Sequence, residues 1–173
     1  MNWFTSDTHF GHKTVIQYCD RPFRNVVEMN EELIRRWNAV VKETDTVYHL
    51  GDFSFLGSMR TKEIVASLNG RKILIRGNHD SKPHRFFERV EDWIIMEIGG
   101  AQVLLSHYPF LGQQMDDRDF SDRQLRFDGR WLLHGHVHTA WKVKDRMINV
   151  GVDQWAYAPV SEDEIYEILK GKS

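Results

Sequence analysis

Apolar positions along the chain fall into two kinds of run, short β-prone stretches and longer ones with a helical period, and in the first half the two alternate. "NWFTS" (2–6) is a short strand-like run. In "NVVEMNEELIRRWNAVV" (25–41), Met29, Leu33, Ile34, Trp37, Val40 and Val41 recur at helical spacing. Asn25 with Glu28 three residues later fits a capping box, which predicts a helix from about Val26. "TDTVYHLGD" returns to a strand, "TKEIVASLNG" to a helix closed by Asn69-Gly70, and "RKILIRGNHD" to a strand running into a polar turn.

From residue 93 the pattern changes. "WIIMEIGGAQVLLSHYP" is two β-prone runs joined at Gly99-Gly100, a hairpin signal, and "RWLLHGH" and "RMINVGV" extend the β-rich half. The final run, "SEDEIYEILKG", pairs Ser161 with Glu164 in a second capping box and sets Ile165, Ile168 and Leu169 in an apolar stripe. Alternating β-α units followed by hairpins predict an α/β fold, either a mixed sheet or two stacked sheets with helices outside. With no repeat, low-complexity tract or linker, residues 1–173 read as one domain, long enough to bury roughly 70% of its unfolded surface.

Composition narrows the partners. At 41% hydrophobic and 28% charged residues the chain has the balance of a soluble globular protein. No apolar run approaches a membrane span and the start enters a strand without a leader, so a cytoplasmic protein without membrane contact is expected. Cys19 is the only cysteine, which rules out an internal disulfide and a thiolate-rich zinc cluster; any metal must use other ligands. A net charge of −2 offers no polycation to a nucleic acid or anionic membrane. The most polar stretch, 112–130, sets Arg118, Arg123, Arg126 and Arg130 against Asp116, Asp117, Asp119, Asp122 and Asp128, which is no basic patch. Nothing in the sequence sets an oligomeric state.

The chemistry gathers at the ends of the apolar runs. They are followed by Asp7-Thr8-His9, Gly51-Asp52, Gly77-Asn78-His79-Asp80, Ser106-His107 and Gly135-His136-Val137-His138. Residues at the carboxyl ends of strands in such folds face a crevice. A single Asp-x-His pair is an ordinary solvated loop, but five strand ends that each offer Asp, Asn or His are hard to explain by solvation. Imidazole, carboxylate and amide oxygen without thiolate suit Mn²⁺, Fe²⁺ or Zn²⁺ with open positions, and a shared carboxylate allows a two-metal site.

These five blocks, in this order, resemble the calcineurin-like metallophosphoesterase family, and no block is missing. The resemblance implies a four-layer α/β/β/α sandwich with two mixed β-sheets and a dinuclear metal centre, in a small member without a large capping domain. Carried over by residue, it makes Asp7, His9, Asp52 and His138 the ligands of one ion and Asp52, Asn78, His107 and His136 those of the other, with Asp52 bridging. Mn²⁺ is the expected pair, and Fe²⁺, Zn²⁺ or Ni²⁺ accept the same ligands. His136 and His138 then serve different metals, Gly135 lets the backbone turn closely at the site, and His134 is a buried histidine satisfied by a polar neighbour. The resemblance places His79 by the leaving group, as proton donor or charge stabiliser, with Asp80 orienting its ring.

The reaction implied is in-line attack of a metal-bridging hydroxide on a phosphomonoester or phosphodiester, small or nucleotide-type. A nuclease or phosphoprotein phosphatase uses the same site, though a nuclease needs a basic, often aromatic track. A non-catalytic scaffold of this fold would be free to lose ligands that are all retained here. His12, Arg21 and Arg24 lie on the loop after the first strand, within reach of a phosphate or of solvent alike. Phe53, Phe55 and Tyr108 either wall the pocket, stacking on a base, or pack beside core strands, with packing favoured, and spacing assigns no role to Asp153.

Overall fold

The computed structural model describes residues 1–80, 85–110 and 125–171. The chain opens with β1 (Asn2–Thr5), followed by α1 (Lys13–Tyr18) and α2 (Val26–Val40), then β2 (Thr46–His49), α3 (Ser58–Ser67), β3 (Arg71–Ile75) and β4 (Arg89–Glu91). The four strands pair in parallel and in sequence order, with Phe4 opposite Tyr48 and Tyr48 opposite Ile73. The hairpin of β5 (Trp93–Ile98) and β6 (Ala101–Ser106) starts a second sheet, continued by β7 (Trp131–His134), β8 (Val143–Lys144) and β9 (Met147–Asn149). The short β10 (Val160–Ser161) returns to pair antiparallel with β1, and α4 (Glu162–Lys170) closes the chain. The sheets are mixed, with orders β10-β1-β2-β3-β4 and β5-β6-β7-β9-β8.

Period-two alternation explains how both faces of each sheet are buried. In β1, Phe4 faces the second sheet while Trp3 packs against the helical side; in β3, Ile75 and Leu74 divide in the same way. Phe4, Leu50 and Ile75 meet Val103, Leu105, Leu133 and Ile148 between the sheets, and Ile165 and Leu169 of α4 join them. The stripe predicted for α2 packs Met29, Leu33 and Trp37 on the outer face of the first sheet, beside Val65 of α3. Each such side chain contributes about 1.5–3 kcal/mol on burial.

On the outer side of the second sheet Leu104, Phe110, Leu132 and Met147 form a smaller cluster with Leu125 and Trp141 packed on it. No helix covers this cluster among the described residues, so the fourth layer of the expected sandwich is not among them; most of the charged stretch 112–130 also lies outside them. Among the described residues, no helix is long and apolar enough to cross a membrane.

The helix ends follow the sequence with one exchange. Ser161 and Glu164 form the complete capping box on α4. On α2, Asn25 accepts the amides of Val27 and Glu28, but Glu28 reaches back to the Arg24 amide at 2.7 Å rather than to Asn25, so the predicted box is half formed. The six-residue α1 was not foreseen, because it buries only Val15 and carries no stripe. Since β1, β2 and β3 run parallel, as do β6, β7 and β9, their carboxyl ends collect at one end of the molecule. There the sheets touch directly, through a bridge between Ser6 and Gly151.

Candidate metal centre

One carboxylate oxygen organises this end. Oδ2 of Asp52 lies 3.6 Å from His9 Nε2 and 3.6 Å from His107 Nε2, and 3.9 Å from His79 Nε2. The other oxygen, Oδ1, accepts the His79 backbone amide at 3.0 Å, which fixes the carboxylate's rotation. Around Oδ2 stand two groups of donors. Ligand atoms of Asp7, His9 and His138 lie within 4.8 Å of one another. On the other side, Asn78 Oδ1 is 3.0 Å from His107 Nε2 and 3.1 Å from His136 Nδ1. The seven residues expected as ligands thus lie at this one end of the molecule, and Asp7 groups within 4.8 Å both with His9 and His138 and with Asp52 and His107.

The backbone makes this convergence. Asp7, His9, Asp52, His136 and His138 all have φ between 45° and 70°, five of the nine non-glycine residues with positive φ among those described. This left-handed region costs about 1 kcal/mol or more per non-glycine residue, with Asp and His among the residue types found there most often. Each such residue breaks the strand direction where the side chain must turn into the centre. The turned loops are bonded to each other, Asp7 N–H to the Gly51 carbonyl and His9 N–H to the Asp52 carbonyl. Gly135 does not take positive φ. Its requirement is space, since a Cβ there would overlap Ser6 Oγ and the Asp7 carboxylate, and Gly77 lies against Asp52 in the same way.

The nitrogens are prepared to bind a cation. His107 Nδ1 bonds the Leu50 carbonyl at 2.7 Å, which orients the ring and turns Nε2 toward Asn78 Oδ1 and the Asp52 carboxylate. His9 Nε2 is buried with no hydrogen-bond partner, aimed between the Asp7 and Asp52 carboxylates. Burial and the neighbouring His138 drive the pKa of His9 far down, and burial with His107 drives His136 down to about 3, so both rings are neutral at pH 7. A lone pair buried and unpartnered beside two carboxylates is costly in an empty protein and favourable beside a metal. The donor set therefore fits divalent cations.

A sequence profile of the calcineurin-like phosphoesterase superfamily domain matches residues 3–159. The chain belongs to that superfamily. Its relatives include the uncharacterized protein MJ1445 of Methanocaldococcus jannaschii, 39% identical over 98% of this chain and 92% of its own. The gene 66 protein of Mycobacterium phage L5 is 34% identical over 96% of this chain and 93% of its own. A solved structure, of a protein of unknown function from Aquifex aeolicus, superposes with a TM-score of 0.76 at 32% identity, covering 97% and 98% of the two chains. A calcineurin-like phosphoesterase domain is metal-dependent, and the Asp and His groups here are the ones available for that metal.

Around this phosphoesterase centre stand residues that spacing did not reveal. Asp153, on the 3₁₀ turn Val152–Gln154, accepts Arg21 Nε and Nη2 at 2.8 and 2.9 Å and His138 Nδ1 at 3.1 Å. Burial alone would raise the Asp153 carboxyl, but hydrogen bonds from His138 and Arg21 prevail and hold its pKa below the usual value. His138 shows the converse: burial opposes its charge, yet the Asp153 bond and the Asp7 carboxylate push it up to about 10. Asn149 Nδ2 and Gln154 Nε2 both donate to the His138 carbonyl at 2.8 Å, so one segment, 149–154, holds both the ring and the backbone of this ligand. Cys19 lies with His138 and Asp153 within 4.8 Å, but Asp153 is already committed, and this trio acts as outer support.

Arg21, considered as a phosphate contact, is instead fully buried: besides Asp153 it donates to the Asp7 and Thr8 carbonyls at 2.7 and 3.1 Å. Arg24 pairs with Glu28 on the surface. His12 touches the centre from outside, its Nδ1 3.0 Å from His9 Nδ1 and its Nε2 2.7 Å from Thr14 Oγ1. Asp80 also differs from expectation. Its carboxylate accepts the backbone amides of Asp52, Gly77 and Phe53 at 2.6, 2.9 and 3.2 Å, so it shapes the loop under the Asp52 carboxylate. His134 is buried as expected, its Nδ1 against the Gly135 carbonyl at 2.8 Å, while its Nε2 has no partner. Phe53 and Tyr108 pack as expected, Tyr108 against the rings of His107 and His136; Phe55 does not, being 41% exposed.

Two outcomes follow. Asp153→Asn removes the counter-charge of Arg21 and leaves one neutral acceptor oxygen for Arg21 and His138 to share, so metal affinity by calorimetry should fall about 10–100-fold. The metal-free variant should also lose stability of about 3–5 kcal/mol in denaturant melts; unchanged affinity in a folded variant contradicts this role. Because His138 is protonated at neutral pH in the metal-free protein and a ligand imidazole must be neutral, metal loading at pH 7 should release about one proton or more. A binding enthalpy that does not vary with buffer ionisation heat would refute this.

Proposed function

We propose that this calcineurin-like domain hydrolyses small phosphomonoesters or phosphodiesters, nucleotide-type among them, with two divalent cations, Mn²⁺ foremost, in the cytoplasm. The observation that supports it best is the single Asp52 oxygen equidistant from His9 and His107, which belong to different donor groups. Asp7, His9, Asp52 and His138 would hold one ion, and Asp52, Asn78, His107 and His136 the other. Bound there, the cations supply charge stabilisation for the phosphoryl oxygens and a lowered pKa for the attacking water.

The chain's own groups do the rest. His79 is 45% exposed at the rim, near the bridging oxygen, and its amide is bonded to Asp52, so the position of its ring is coupled to the carboxylate beneath the phosphate. That rim position supports the reading of His79 as the group that would give a proton to the leaving oxygen. Asp80 keeps the amides of Asp52, Phe53 and Gly77 in register, and so sets where His79 stands.

Metal-stripped protein resupplied separately with Mn²⁺, Ni²⁺, Zn²⁺ and Mg²⁺ should regain hydrolysis of para-nitrophenyl phosphate or its bis-ester with a transition metal. Asp52→Asn should abolish it together with binding of one ion, whereas His79→Asn should keep both ions and lose about 10²–10⁴-fold in kcat. Turnover that survives chelation and Asp52→Asn contradicts the proposal.

A further inference from the structure

On the side of His9 and His138, the rim carries aromatic rings. Phe55 lies with its ring centroid 3.9 Å from His12, 5.2 Å from His9 and 4.7 Å from His79, and 41% of it is still exposed. Tyr18, on α1, meets His138 and His12 edge-on at 5.8 and 6.0 Å and is 56% exposed. The other phenylalanines of these loops, Phe10, Phe23 and Phe53, are buried. Two large aromatic side chains left at the edge of a polar, histidine-lined centre are not explained by core packing, whereas scattered exposed apolar residues elsewhere need no account.

The chemistry of this rim is flat and aromatic. Of its loop cations, Arg21 is committed to Asp153 and Arg24 pairs with Glu28, while Lys13 stays exposed. The Tyr18 hydroxyl makes no hydrogen bond among the described residues, so it is free to donate to a ligand. A planar ring with polar edges satisfies both features, by stacking on the aromatic faces and accepting from the phenol. Phe55 also adjoins His79, the residue at the leaving group, which puts this surface on the departing half of the ester.

Resting on the phosphoesterase reading above, we propose that Phe55 and Tyr18 form a base subsite, which takes the nucleobase carried by the leaving group of a nucleotide ester. The choice between a nucleoside and an aliphatic alcohol as leaving group then resides in these two side chains, while the metal centre handles the phosphate common to both.

The test compares AMP with glycerol 3-phosphate, two phosphomonoesters that differ in the alcohol. Binding of each to Mn²⁺-loaded protein is measured by calorimetry in a His79→Asn background, where hydrolysis is suppressed. AMP should bind about tenfold or more tighter, Phe55→Ala and Tyr18→Ala should each reduce that ratio severalfold, and Phe55→Tyr should keep it. A ratio near one, no binding of AMP at millimolar concentration, or equal losses for both ligands in the alanine variants overturns the proposal. A preserved ratio in a protein that, with His79 intact, hydrolyses neither of these esters nor the bis-para-nitrophenyl diester keeps the subsite and removes the hydrolytic reading instead.

Discussion

The structure depends on holding one buried carboxylate, Asp52, between two sets of histidines, of which His9 and His136 are neutral. A carboxylate that is 2% exposed has lost most of its water, and the nearby Asp7 is equally buried, with burial raising the Asp7 pKa. Two such groups side by side are tolerable only with compensating donors or cations. Backbone amides supply part of the compensation: His79 N–H holds Asp52, and His136 N–H holds Asp7 at 3.0 and 3.2 Å. The protonated His138 meets part of the remaining charge, while His9 Nε2 offers an unpartnered lone pair that gives no stabilisation until a cation enters. The fold is therefore built around a deficit that divalent metal would fill.

The deficit also explains where the chain accepts strain. Left-handed φ at five donor positions places side chains that regular strands would send elsewhere, and the loops bearing them are cross-bonded rather than free. Support is distributed unevenly between the histidines. His138 is held by a carboxylate that a buried arginine in turn fixes, His107 by a backbone carbonyl, and His9 by another histidine. Since a carboxylate partner raises ligand basicity, the ring of His138 is tightly coupled to proton release.

Much of this was legible from the residues. Apolar periodicity located α2, α4 and the main strands, because each buries a stripe or an alternating face, and the motif blocks at the strand ends named the seven donors that the fold brings together. Short elements without a face of their own, such as α1 and β4, left no periodic trace. The supports were hidden for a different reason. Arg21 and Asp153 are 132 residues apart and meet only because a turn beyond β9 crosses to the end of β1. Asp80 adjoins His79 in sequence, which suggested a partnership between their side chains, but successive residues in a turn point apart, and its carboxylate found backbone amides instead. Phe55 and Phe53 have similar sequence surroundings and opposite fates, set by which side of the β2 loop faces the core.

The most direct test of the account is diffraction from Mn²⁺-loaded crystals at the manganese absorption edge. Two anomalous peaks about 3.5–4 Å apart, with Asp52 bonded to both, are expected of a shared-carboxylate pair. A single fully occupied peak, or two ions with Asp52 bonded to only one, would contradict the central claim that this carboxylate organises the site.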